Sequence, residues 1–179
     1  MVIARLCQVL LLMLLPWAVL AEQSATSGLQ SYKFGPGDAL KISVYQEPDL
    51  SVTAEISQQG YIDMPLLGSI RMTGHTQQSA KEYLEQRLRD GYLVSPSVSI
   101  TIDSYRPFFI YGEVRNPGSY DYQPDITLEQ AIALSGGLLD RASRSSWHIQ
   151  RGADKATFKA AADTIILPGD VIKIDKSFF

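Results

Sequence analysis

The side chains able to do chemistry in this 179-residue chain are two histidines, a set of carboxylates beside turns, and tyrosines and arginines grouped after the midpoint. His75 and His148 stand far apart, without the paired spacing that a zinc site takes from one helix or one hairpin. Glycoside hydrolysis needs two carboxylates facing each other across a sugar bond. Asp38, Asp63, Glu113, Asp121, Asp125 and Asp170 are available, but most adjoin glycine, proline or asparagine, where a carboxylate ordinarily accepts hydrogen bonds from turn amides. Gly136-Gly137 follows a helical pattern instead of opening one, so it does not cradle phosphate. Cys7, the single cysteine, lies in an apolar leader and supplies no thiolate to the mature chain. No catalytic residue, metal ligand set or cofactor is therefore assigned.

The aromatic group is the better candidate for binding. Tyr105, Tyr111, Tyr120 and Tyr122, with Phe108, Phe109 and Trp147, offer flat faces for sugar rings and hydroxyls for hydrogen bonds. Arg106 and Arg115, like Arg141 and Arg144, carry the charge to meet an acidic glycan. Aromatics are expected in any sheet, so core and subunit contact stay open beside sugar contact. Candidate glycan or subunit contacts are thus Tyr105, Arg106, Tyr111, Arg115, Tyr120 and Tyr122.

These residues must be carried to a compartment and held by elements. Arg5, an apolar run over residues 9–15 and a Val19-Leu20-Ala21 end describe a cleavable signal peptide, 1–21. The run is too short for a spanning helix, which needs about 20 apolar residues. Glu22, not cysteine, follows the cleavage point, so a lipoprotein is not expected. Losing one basic residue with the leader takes the net charge from −3 to −4, which argues against nucleic acid as a partner. The remaining 158 residues suffice for two small domains, and 22–31 read as a flexible leader.

An α+β pattern follows. Gly35-Pro36-Gly37-Asp38 turns into a strand on which Leu40, Ile42 and Val44 alternate with polar residues. Two short strands lie around Tyr61-Ile62-Asp63-Met64 and from Ile70 to Met72. A helix capped by Thr76 carries Ala80, Tyr83, Leu84 and Leu88 on one face and closes at Gly91. Val98, Ile100 and Ile102 complete a first unit, 32–104. The second, 105–179, opens with a hairpin from Phe108 through Asn116-Pro117-Gly118 to Tyr120 and Tyr122. Next comes a helix with a Thr127/Gln130 capping box, ended by Gly136-Gly137. Strands at 147–150, 157–159 and 165–174 finish a mixed sheet on one helix, a β-grasp order. Pro36-Gly37-Asp38 recurs as Pro168-Gly169-Asp170, which we read as repeated turn architecture and not as a site.

These motifs resemble the outer-membrane polysaccharide export proteins of the Wza-like type. The first unit carries the tyrosine and Gly-x-Gly-Asp turn at Tyr32, Gly35, Gly37 and Asp38, then Gly60-Tyr61-Ile62, the Pro-x-x-Gly segment Pro65 to Gly68, and Gly74. The second is similar to the soluble-ligand-binding β-grasp (SLBB) domain through Gly112-Glu113-Val114, Asn116-Pro117-Gly118, Tyr120, Leu128 and Gly136-Gly137. The resemblance implies a short, non-enzymatic, periplasmic member with one β-grasp domain, associated with the outer membrane through partners. It would guide polysaccharide as a homo-oligomeric ring beside an inner-membrane polysaccharide co-polymerase and an outer-membrane β-barrel protein. It lacks the acylated cysteine and C-terminal amphipathic helix of larger relatives, so another protein is expected to cross the outer bilayer. A carbohydrate-binding or signalling module built on the β-grasp domain is the alternative.

Overall fold

Alternating apolar residues at 40, 42 and 44 fix the first sheet. In the computed structural model, which describes residues 32–152 and 154–177, strand β1 (Ala39–Val44) lies between β2 (Val52–Glu55) and β5 (Val98–Ser104), both antiparallel to it. The signal peptide and flexible leader expected over 1–31 fall outside the described residues. Leu40, Ile42 and Val44 are buried opposite Ile102, Ile100 and Val98, with Val98 and Ile100 themselves buried. Helix α1 (Gln77–Arg89) contributes Ala80, Leu84 and Leu88 to the buried set. Thr76 and Ser79 form its capping box, and Gly91 beyond its end takes φ +98°. Two side chains tie this helix to β5: Gln77 donates to the Ile100 carbonyl at 2.6 Å, and Glu85 accepts from the Val98 amide at 3.0 Å.

A separate hairpin pairs β3 (Tyr61–Met64) with β4 (Gly68–Arg71), burying Ile62, Met64 and Ile70. Strand β2 was not among the expected elements. Its sequence, Val-Thr-Ala-Glu, has no clear apolar alternation, and it exists because β1 offers it an edge.

The second half is a five-stranded mixed sheet in the order β7-β6-β10-β8-β9. Its strands are β6 (Phe108–Gly112), β7 (Gly118–Tyr120), β8 (Ala142–Arg151), β9 (Ala156–Ala160) and β10 (Val171–Lys176). Chain-distant β6 and β10 run parallel at the centre while the remaining pairs are antiparallel. Helix α2 (Leu128–Leu134) starts at the expected Thr127/Gln130 capping box. Its Leu128, Ala131 and Ile132 pack with Phe108, Ile110, Trp147, Ile149, Ile172 and Ile174 in one core. This is the β-grasp arrangement, within an α+β chain.

Several expected strand limits are corrected: β8 begins at Ala142 and not at 147, and β4 spans Gly68–Arg71 and stops short of Met72. Tyr122 lies beyond β7, which stops at Tyr120. The last strand begins at Val171 and not at 165: Asp170 accepts from the Leu167 amide at 2.8 Å and Gly169 sits at φ +82°, closing a turn that no strand can pass through.

That turn and its echo meet. From Lys33 onward the chain is one compact unit, and Arg106 lies between Asp38 and Pro168 inside it. Its amide donates to Asp38 Oδ1 at 2.9 Å, its guanidinium stands 3.6 Å from Asp38 Oδ2, and its Nε donates to the Pro168 carbonyl at 3.0 Å. A side-chain carbon added at Gly35 would fall on the guanidinium, and one at Gly169 would come within 2.6 Å of Arg106 Nε. Glycine at these positions makes room for the arginine. Asp170 mirrors Asp38: it is fully buried and is gripped by Arg151 at 2.6 Å.

Asp38→Ala should lower the unfolding free energy by about 2 kcal/mol, because it leaves the Gly35 and Arg106 amides without their acceptor and removes the carboxylate that the partly exposed Arg106 guanidinium faces. Lys81→Ala, which removes only a long, partly exposed pair with Glu85, should change it by less than about 0.5 kcal/mol. Urea midpoints measured on the two variants check the contrast.

Candidate functional site

The six candidate contact residues do not converge on one place. Tyr105 and Tyr122 meet edge to face, ring centroids 5.1 Å apart at 70°, beside the junction between the halves. Burial pushes both phenols above their ordinary 10.0, helped at Tyr105 by the charge of Asp38; at Tyr122 a hydrogen bond with the Asp125 backbone opposes it. Tyr120 stacks on buried Phe108 at 5.9 Å and donates its hydroxyl to the Asn116 carbonyl at 2.6 Å, bracing the hairpin turn. Arg115 is exposed next to that turn, its amide bound to the Gly137 carbonyl at 3.1 Å. Arg106 is the junction clamp. Of the six, Tyr111 alone lies on the outward side of the second sheet.

Strand alternation decides that side. Phe108 and Ile110, Trp147 and Ile149, and Ile172 and Ile174 point into the core, so Phe109 and Tyr111, His148 and Gln150, and Val171 and Lys173 point away from it. Pairing sets them in rows. Tyr111 is opposite Lys173, Lys173 opposite His148, and His148 opposite Lys159. Beside them run Phe109, Val171, Gln150 and Thr157. Tyr111, His148, Gln150, Thr157, Val171 and Lys173 line a shallow cavity of about 290 Å³. Tyr111 is 47 % exposed and Phe109 44 %, large for aromatic side chains in a folded sheet. Gly112 ends β6 at φ +96°, and any side chain there would strike the Ile174 carbonyl at 2.2 Å; this close approach keeps β6 pressed against β10 and Tyr111 in register.

Charges on this face are organised by Asp175. Its carboxylate takes Lys173 Nζ at 2.9 Å on one oxygen, and His148 Nδ1 at 2.9 Å and the Ser146 hydroxyl at 3.1 Å on the other. The Lys173 hydrogen bond holds the Asp175 carboxyl below the usual carboxylate range, and the same bond raises Lys173. Ser146 donates to Asp175 and not to His148, so this serine is not paired with the imidazole as a nucleophile with its base. His75 stacks on Tyr83 at 5.2 Å and meets Ser79 at the start of α1, a capping environment. Asp38 and Asp170, the buried carboxylates, are occupied by amides and arginines. Among the described residues no group of three histidine, cysteine, aspartate or glutamate side chains is placed to hold a metal ion, and no helix is long and apolar enough to cross a membrane. The arrangement presents a surface for holding a ligand.

Comparison with known proteins places the two halves. Residues 27–103 match the family described as polysaccharide biosynthesis/export protein, and residues 107–158 match the SLBB domain. The chain is thus a polysaccharide export domain followed by an SLBB domain. It is 27 % identical over 133 residues, 68 % of this chain and 32 % of the relative, to "Exopolysaccharide production protein ExoF" of Rhizobium meliloti. To "EPS I polysaccharide export outer membrane protein EpsA" of Ralstonia nicotianae it is 24 % identical over 81 % of this chain and 47 % of that protein. To "Polysialic acid transport protein KpsD" of Escherichia coli it is 23 % identical over 66 % of this chain and 22 % of that one. The chain thus spans less than half the length of each of these export-family relatives. The SLBB match ends at 158, yet the sheet is completed at its centre by β10, so the structural unit continues to Lys176.

Sequence reasoning missed Lys173, Lys159, Gln150 and Thr157, and set His148 aside because it lacks the paired spacing of a metal site. The available signal was alternation: Lys173 and His148 each sit between two core positions and Lys159 is opposite His148, while Gln150 follows core Ile149 and Thr157 is opposite Gln150, so these side chains had to face outward.

Because folding favours the neutral phenols, Tyr105 and Tyr122 contribute stability that is present below about pH 10 and is lost as pH rises through their raised values. An ultraviolet titration should show tyrosines ionising above 10, and Tyr122→Phe should remove part of that late component and flatten the alkaline loss of stability.

Proposed function

We propose that this chain is a periplasmic component of a capsule or exopolysaccharide export complex, one segment of an oligomeric conduit through which glycan reaches and crosses the outer membrane. The observation that carries this reading is the ordered pair of domains, an export domain followed at once by an SLBB domain, in relatives named for exopolysaccharide production, export and transport. We place the boundary between the domains at residues 104 and 105, next to the Arg106 clamp. Two small cores in one compact unit cannot surround a hydrated polymer, so the passage is formed by several copies, each using two different faces in a ring. Tyr45, Tyr92 and Val94 are 72 %, 50 % and 97 % exposed, and the loops that carry them are joined where the Tyr45 amide donates to the Ser97 carbonyl. They suit a contact between copies.

Transport in this reading is passive. The cleaved chain folds in the periplasm, an inner-membrane polysaccharide co-polymerase delivers the polymer, and an outer-membrane β-barrel protein completes the crossing. Selection rests on size and charge, with no cofactor and no bond broken by this chain. The open cavity on the second sheet favours one other reading, a periplasmic carbohydrate-binding or signalling module.

A deletion strain separates the two. Polymer retained inside the envelope, with a loss of most surface polysaccharide, is expected for export; normal surface material would overturn it. Sedimentation of the purified protein should show concentration-dependent assembly, weakened by Val94→Asp without a change in melting temperature.

A further inference from the structure

The outward side of the second sheet combines three features that nothing in the family assignment specifies. It has two exposed aromatic rings on one strand, Phe109 and Tyr111. It has a shallow cavity lined next to Tyr111 by an amide, a hydroxyl and an imidazole, from Gln150, Thr157 and His148. It also has two ammonium groups in the row that starts at Tyr111, those of Lys173 and Lys159.

We propose that this face binds an acidic glycan, with a sugar ring laid on Tyr111 and carboxylates of the sugar chain met by Lys173 and Lys159. The inference rests on the export reading for the presence of a glycan, and adds the chemical class and the place.

Each feature has a reason. The axial C–H bonds of a pyranose form an apolar patch of the size of an aromatic ring, so an exposed Tyr111 gives it a dry seat while the phenol hydroxyl stays in water. The hydroxyls around the sugar need partners that donate and accept, which amide, hydroxyl and imidazole groups provide. A neutral glycan needs nothing more. The two lysines are the feature that asks for an anion. Among the outward positions of β6, β8, β9 and β10, Asp175 is the carboxylate, and it is already matched by Lys173. An ammonium has three donors, so Lys173 keeps donors for a ligand after binding Asp175, and Lys159 adds its full charge. The local balance is therefore positive on a chain whose net charge is −3.

The same features disfavour a protein partner. The centre of a protein interface is depleted of lysine, because a strongly hydrated ammonium loses more on drying than it regains. A glycan chain leaves much of the face wet, and both lysines can bind carboxylates while still hydrated.

The test uses calorimetric titration of the purified protein with a galacturonic acid hexamer and with maltohexaose, a neutral hexamer. The acidic hexamer should bind at least about tenfold more tightly than the neutral one, and its affinity should fall severalfold from about 0.05 to about 0.5 M salt. Lys159→Glu and Tyr111→Ala should each weaken it at least about fivefold with unchanged melting temperature, since both side chains are exposed. Equal affinity for the two hexamers, no binding of either, or binding that ignores both substitutions would overturn the proposal. Self-association abolished by the same substitutions would also overturn it and assign the face to a second copy. These failures are distinct from failure of the export reading. A deletion strain that retains polymer, paired with a protein that binds no galacturonate, leaves export standing and removes the acidic site. Normal surface polysaccharide in that strain removes export whatever the titration gives.

Discussion

One guanidinium group holds the architecture together. Arg106 leaves the first domain and immediately reaches back to Asp38 and across to Pro168, so the turn that starts β1 and the turn that starts β10 are fastened to one side chain. Asp38 is fully buried, and a carboxylate in that position is tolerable only while its charge and lone pairs are matched by the guanidinium and by the Gly35 and Arg106 amides. The glycines at 35 and 169 follow from the same requirement, because the arginine occupies the space their side chains would take. Two cores that would otherwise be connected by a few residues of chain become a single compact unit.

The second domain then fills one side of its sheet and leaves the other to water. Helix α2 is only seven residues long, but its capping box and the Leu128, Ala131 and Ile132 face let it cover the core of the inner side. The outer side presents an aromatic, cationic and amide-bearing surface that no element among the described residues covers. Nothing on it is arranged as a nucleophile and base. Its Asp175 network fixes Lys173, His148 and Ser146 in place.

Much of the fold was legible from local physics. The Thr76 and Thr127 caps, the apolar faces of both helices, the β1 and β5 alternation and the hairpin at Asn116-Pro117-Gly118 are each written in a few consecutive residues. Strand β2 was not, because four residues of mixed polarity become a strand only when a neighbouring edge supplies hydrogen bonds. The start of β10 was misread for a related reason: Ile165, Ile166 and Leu167 look like strand residues, but the Asp170 carboxylate diverts the Leu167 amide into a turn. The candidate site was legible only at Tyr111. Tyr120 went to the core and the hairpin turn, and Arg106 to the junction, for each found a closer partner in the fold than any glycan.

By itself the sequence determined the class of the molecule: an α+β chain of two small domains, with export-type turn motifs, a net acidic charge and no spacing suited to a metal or a nucleophile. Such properties depend on residue types and on separations of a few positions, which local sterics and hydrogen bonding read directly. Only the tertiary structure decided that the repeated Pro-Gly-Asp turns share one arginine, and that Tyr111, Lys173, His148 and Lys159 stand in a row. Those residues come from four strands spread over some sixty positions of the chain, and their order across the sheet is set by pairing of β6 with β10 and β10 with β8. No periodicity along a single segment encodes it.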